Sequence, residues 1–152
     1  MSRLYVLVRN DLPSMNSGKA MAQVCHAGTQ FIQKFGKEKS VKEWMKEADG
    51  FGTTIVLGAN VKQINELKNN FKIYDIIDPT YPFNCQWELL QYIPKDVKDK
   101  IELLVSAYDI PNKYGEVVAT RKEYTCSYIF FDDENKINNF REICDKLGIK
   151  RY

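Results

Sequence analysis

The sequence predicts an α/β fold. Two observations carry that reading. Short β-rich apolar runs recur along the 152 residues, and segments of helical periodicity stand between them. No internal repeat, low-complexity tract or dividing linker is visible, and the length fits a single domain spanning 1–152.

The elements follow in order. Arg3 to Arg9 (RLYVLVR) is the first strand. Asn10 to Ser17 holds Asp, Pro, Ser and Asn and reads as a loop. A long helix is expected from about Gly18 to Phe35, capped by Ser17 or Asn16 and stopped by Gly36. A short helix is expected at Val41 to Ala48, and Gly50 and Gly52 then break the chain. Thr53 to Gly58 is the second strand, Val61 to Phe71 a helix, and Lys72 to Ile77 the third strand. Asp78 to Tyr92 is rich in Pro and aromatics. Pro94 to Tyr108 has helical spacing at Val97, Ile101, Leu104, Val105 and Tyr108, with Pro94 suited to a first turn. Glu123 to Phe131 is the last strand. A closing helix runs from Asp132 or Asp133 to Leu147, ended by Gly148.

Composition excludes several classes. Apolar residues are 44%, charged residues 28% and aromatics 12%, which argues for a packed globular domain against disorder. No apolar run approaches the roughly 20 residues of a membrane span. Leu4 to Val8 is too short for a signal-peptide core. A soluble, cytoplasmic protein is the expectation. The net charge of +2 gives no global nucleic-acid signal. No pair among Cys25, Cys85, Cys126 and Cys144 has CxxC spacing, and His26 is the one histidine, so no metal site is signalled.

The chemistry concentrates on the first helix. With Lys19 set at zero on a helical wheel, Gln23 falls at roughly +40° and His26 at roughly −20°. Ala20, Met21, Val24, Cys25, Gly28, Phe31, Ile32 and Phe35 fall on the other side and are the expected core face. An ordinary solvated stripe would give the same pattern. Lys19, however, sits in the first turn, where the helix dipole disfavours a cation by about 0.3–1 kcal/mol. A cation beside open backbone N–H groups makes a corner suited to a phosphate or a developing oxyanion. It is not a Walker A loop, because Pro13 and Ala20 stand where that motif needs Gly and Ser or Thr. Cys25 and His26, as helix neighbours, point about 100° apart, which disfavours a Cys–His nucleophile.

The strand YVLVRNDL followed by Gly18, Lys19, Ala22, Gln23, His26 and Ala27 resembles the opening of the archaeal- and eukaryotic-type peptidyl-tRNA hydrolase family. TTIVLG resembles that family's second strand. KIYDIIDPT resembles its third strand, with Asp78 as the closing Asp. YTCSYIFF resembles its last strand, with Thr125 as the opening threonine. The resemblance implies a mixed four-stranded sheet with helices on both faces. It implies hydrolysis of the ester between a peptide or N-blocked amino acid and the tRNA 3′ end, with no cofactor and no metal. It also implies tRNA as partner, no membrane, and a possible homodimer. It places Lys19, Asp78 and His26 as catalytic residues and Gln23, Thr125 and Gly18 as substrate-binding residues.

The chain departs from the family in two places. Pro79 and Thr80 follow Asp78 in place of an Ala-Gly turn, and Lys122, Glu123 and Tyr124 stand in place of a Gly-Thr pair. An inserted sub-structure is expected at about 81–120, too long for a bare loop. A catalytically inactive module of the same fold, binding tRNA or a protein, is the competing reading. Basic clusters at Lys34–Lys46, Lys95–Lys100, Arg121–Lys122 and Lys150–Arg151, with Tyr81, Phe83 and Trp87 as stacking platforms, are candidates for RNA contact. Interleaved Glu38, Glu43, Glu47, Asp96 and Asp99 favour a plain mixed-charge surface for any one of them.

Overall fold

The computed structural model describes residues 1–86, 101–103 and 116–152. Strand β1 (Arg3–Arg9) lies inside a mixed sheet. Its five central residues are buried on both faces, which is why it reads as one apolar run rather than an alternation. It pairs parallel with β2 (Thr54–Ala59) in the register Leu4 to Thr54 through Arg9 to Ala59. It pairs antiparallel with β5 (Glu116–Phe131), from Arg3 opposite Phe131 to Val8 opposite Cys126.

The sheet order is β3-β5-β1-β2-β6, with β3 at Tyr74–Gln86 and β6 at Lys150–Arg151. A further strand, β4 (Ile101–Leu103), pairs with β5 off this path. The sheet is therefore mixed, as expected, but its path holds five strands, not four. The strand missed on this path is β6. Two residues are too few to carry a periodic signal.

Helices cover both faces. Helix α1 (Ser17–Phe35) packs Ala20, Ala27 and Phe31 against Leu4, Val6, Val8, Cys126 and Tyr128. Helix α2 (Lys39–Trp44) adds Val41 and Trp44 to the same core. It is shorter than the expected 41–48, and a single 3₁₀ turn follows at Ala48–Gly50. Gly52 has φ +69 and lies directly under the Trp44 ring, a place no side chain could occupy. On the opposite face, Tyr5 and Phe131 meet Phe140 of α4 (Glu134–Lys146). Helix α3 (Val61–Lys68) buries Ile64 and Leu67, and its Gln63 Nε2 donates to the Leu147 carbonyl at 2.9 Å. Asn60 and Gln63 form a capping box at its start, and Asp133 caps α4.

Two compact units divide the chain: residues 1–76 with 125–152, and residues 77–124. In the second, β4 pairs with β5 from Ile101 opposite Arg121 to Leu103 opposite Ala119. Tyr81 is fully buried, and Arg121 pairs with Glu123 at 3.0 Å.

Two expectations fail here. The predicted helix over 94–108 is a strand at 101–103, and its other residues lie outside those described. Ile101 and Leu103 also alternate with period two, and a ladder partner some twenty residues away in the sequence decides between the two periods. The third strand does not stop at Ile77. It continues through Pro79 and Pro82 to Gln86. As the terminal strand of the sheet path, β3 has an outer side that tolerates a missing N–H.

Candidate active site

The candidate site in the first unit is built where α1 begins, beside the carboxyl ends of the parallel strands β1 and β2. Such ends are the usual place for ligands in α/β sheets. Buried Leu12 anchors the loop between β1 and α1, and the Met15 N–H closes a turn onto the Leu12 carbonyl at 3.0 Å. Arg9 Nε donates to Asp11 Oδ1 at 2.8 Å. The other oxygen of Asp11 accepts the Val61 N–H at 3.2 Å, tying the loop to the start of α3. Burial alone would raise the Asp11 pKa. The hydrogen bonds from Arg9 and Val61, with the Arg9 charge, outweigh it and hold the carboxyl below its ordinary value.

Asn16 is the N-cap of α1. Its side chain accepts the Lys19 N–H at 2.9 Å, and its carbonyl accepts the Ala20 N–H at 2.8 Å. Gly18, in the first turn, is exposed. Lys19 is half-buried and turns back so that Nζ donates to the Ser14 carbonyl at 3.0 Å. Burial lowers its pKa. The first turn of α1 holds no acidic residue, so the helix end and the Lys19 ammonium together present positive potential.

One turn on, Gln23 departs from the wheel. It belongs to the buried face, 2% exposed, and Oε1 accepts the Thr125 hydroxyl at 2.6 Å. Thr125 is itself fully buried. The β1–β5 ladder ends at Cys126, one residue short of Thr125, so Thr125 is not held to the strict alternation of that ladder. Cys126 Sγ reaches the Gln23 carbonyl at 3.5 Å. His26 is exposed, as expected of a residue off the core face. The expected core residues Met21, Cys25 and Ile32 are exposed instead. The buried arc of α1 runs from Gln23 to Phe35, about 40° to 160° on the wheel rather than 100° to 240°.

Lys19, Gln23, His26, Gly18 and Thr125 thus all belong to the first unit, and Gln23 and Thr125 are in direct contact. Asp78 belongs to the second. It lies within β3 rather than in a turn, is buried, and accepts the Thr80 N–H at 2.9 Å, with Thr80 Oγ1 at 3.5 Å. Sequence reasoning missed the Ser14 carbonyl that receives Lys19, and Asp11 as the brace of the loop. An Asp two residues after an Arg, at a strand end, was the available signal for the second.

A cavity of about 440 Å³ opens beside the loop, lined by Asn10, Leu12, Met15, Gly58, Arg151 and Tyr152, with Lys150 at its edge. Of the basic clusters, the one at Lys150–Arg151 thus shares this cavity with Leu12 and Met15 of the loop that leads into α1. A second cavity is lined by Phe31, Phe35, Phe71, Tyr74 and Tyr128. It begins about 18 Å along the helix from Lys19 and shares none of the candidate residues. Among the described residues, no helix is long and apolar enough to cross a membrane, and no group of three or more His, Cys, Asp or Glu could hold a metal ion.

The family model for peptidyl-tRNA hydrolase PTH2 matches residues 2–78. The chain belongs to the peptidyl-tRNA hydrolase PTH2 family. No curated protein matches it in a sequence comparison. The matched half begins before β1, takes in all of α1 with Gly18, Lys19, Gln23 and His26, and ends on Asp78. Thr125 and the rest of β5 lie beyond the family match.

Proposed function

We propose that this chain hydrolyses the ester joining a peptide or N-blocked amino acid to the 3′ end of tRNA, without a metal ion. The observation that carries the reading is the start of α1. A family-matched helix end holds a half-buried lysine beside capped and uncapped backbone N–H groups, and the loop that leads into it lines a cavity together with Lys150 and Arg151.

In the reaction, water adds to the ester carbonyl carbon and the carbonyl electrons move onto oxygen. The tetrahedral species then collapses, the carbon–ribose oxygen bond breaks, and the ribose oxygen takes a proton. Lys19, with the N–H groups near Gly18, stabilises that oxyanion or the 3′-terminal phosphate. Asp78 orients or deprotonates the water, and His26 relays the proton to the leaving oxygen. Gln23 and Thr125 act as positioning residues in this scheme. Their mutual hydrogen bond fixes α1 on β5. Lys150 and Arg151 meet the tRNA backbone, so binding weakens as salt rises.

The test is release of labelled acyl-amino acid from N-blocked aminoacyl-tRNA by the wild type, Lys19→Ala and Asp78→Asn. Turnover lost in both folded variants supports the assignment. A folded wild type that binds tRNA with no turnover turns the reading to a non-catalytic tRNA-binding module.

A further inference from the structure

Helix α4 and the sheet face beneath it form a cavity of about 460 Å³ within the first unit, and none of the candidate catalytic or positioning residues lines it. Alternation along β1 puts Arg3 and Tyr5 on the face that α4 covers, opposite to the Leu4, Val6 and Val8 that meet α1. The parallel register, Tyr5 to Ile55 and Leu7 to Leu57, brings Ile55 and Leu57 of β2 onto the same face. Those two, with Phe140 and Ile149, give the cavity an apolar wall.

The rest of the lining is charged, and mostly of one sign. Arg3, Arg141, Lys150 and Arg151 stand against a single carboxylate, Asp145. Asp145 follows Arg141 by four residues, the spacing of a helical ion pair, yet the two make none. Among the described residues, no carboxylate lies within ion-pair distance of any of the four cations. Arg3 Nη1 donates to the Ser2 carbonyl at 2.8 Å and Nη2 reaches Met1 Sδ, both uncharged acceptors. Gathering cations without a counter-charge is unfavourable for the fold alone.

Tyr5 is the second, independent observation. It is 2% exposed, and its hydroxyl is buried without a hydrogen-bond partner. Buried phenol hydroxyls ordinarily have one. The ring is explained by packing on Phe131 and Phe140, which a phenylalanine would do equally well. The hydroxyl is not. Burial raises its pKa and Cys144 adds to the rise, while the charges of Arg141 and Arg3 oppose it, so both guanidinium groups bear on this atom. A donor beside two guanidinium groups lacks an acceptor, and the acceptor that suits all three is an anion.

The lining narrows the choice of anion. Guanidinium forks match phosphate oxygens in pairs. A phosphate monoester carries close to two charges near neutral pH and three acceptor oxygens, enough for Arg3, Arg141 and Tyr5 together. The apolar wall suits the ester's organic group, and the volume is that of a small-molecule site. We propose that this cavity is a second binding site, for a small phosphate monoester, in which Arg3, Arg141 and the Tyr5 hydroxyl hold the phosphate while Ile55 and Leu57 face its organic group. The site does not rest on the hydrolase reading, and its readout needs no tRNA.

Isothermal titration calorimetry of the full chain with phenyl phosphate, slightly above neutral pH and at low salt, tests this. The wild type binds one equivalent. Phenyl sulfate, of the same shape with a single charge, binds about tenfold more weakly or worse. Tyr5→Phe and Arg141→Ala each weaken phenyl phosphate by about fivefold or more. Without ligand, Tyr5→Phe melts no lower than the wild type, because the hydroxyl it removes has no partner to lose. Arg141 is exposed on α4, so Arg141→Ala keeps the test open should Tyr5→Phe fail to fold. A wild type that binds no phenyl phosphate, binding that phenyl sulfate matches, or binding indifferent to both substitutions overturns the proposal. So does a single-stranded oligonucleotide whose affinity falls in both variants, which would make the cavity a polymer surface instead.

Discussion

Replacing Thr125 with valine removes one hydroxyl and keeps the β-branched shape. That hydroxyl donates to Gln23 Oε1 at 2.6 Å, and the two residues are 0% and 2% exposed, so water cannot take the lost donor's place without rearrangement. Taking a donor from a buried amide oxygen costs about 1–3 kcal/mol, against about 0.5–1.5 kcal/mol for an average hydrogen bond. At about 2 kcal/mol, a chain of this size loses about 4–8 °C of Tm. The assay is thermal and urea unfolding in a Trp87→Phe background, where the fluorescence of Trp44 reports the core of the first unit. The double variant Gln23→Leu with Thr125→Val removes both partners. It should be less destabilised than the sum of the singles, with a coupling of at least about 0.5 kcal/mol. A Thr125→Val protein whose Tm moves by less than about 1 °C, or a strictly additive cycle, refutes the reasoning.

Four further outcomes are expected. Gly52→Ala is destabilised by more than about 1 kcal/mol, because φ is +69 and the new Cβ runs into the Trp44 ring. Gly28→Ala, by contrast, gains about 0.5–1 kcal/mol in dilute solution, since its Cβ meets nothing, and thermal melts of the pair read the contrast. Lys19 titrates below the ordinary lysine value when followed by NMR of its ε-methylene group, because burial disfavours its charged form. Between its folded and unfolded pKa values the unfolded state holds more protons, so the Lys19 contribution to stability rises with pH in that window. Titration of Lys19 at the ordinary lysine value would contradict the half-buried ammonium. With a thiol reagent at neutral pH, Cys25 is modified in the native protein while Cys126 and Cys144 react only on unfolding. Burial pushes the Cys144 thiol up to about 12.

How much of this was legible in the sequence depended on where each signal came from. Arg3–Arg9 was readable to the residue because both its faces are buried and its apolar run is uninterrupted. The start and stop of α1 were readable because an Asn cap and a glycine stop are local chemistry. The phase of α1 was not. Counting hydrophobicity assigned Met21 and Ile32 to the core and Gln23 to the surface, whereas a threonine about a hundred residues away makes the glutamine a buried partner. Strand β4 and the extension of β3 through Pro79 were hidden for the same reason. Ladder partners distant in sequence, not local propensity, decide them. Within the site, the Lys19–Gln23–His26 spacing was visible, since it lies on one helix. The Ser14 carbonyl that receives the Lys19 ammonium was invisible, since backbone acceptors leave no trace in composition.

The short strand β6 has a consequence out of proportion to its two residues. It pairs with Leu57 and Gly58, and the Tyr152 N–H reaches the Val56 carbonyl at 3.1 Å. Those contacts occupy hydrogen-bonding groups that the rim of β2 would otherwise offer to a stray strand. Lys150 and Arg151 add charge where such a strand would have to approach. A protein trimmed of these three residues would keep its core yet gain an adhesive border. Its first failure on storage or warming would be fibrous precipitation rather than loss of the helical core.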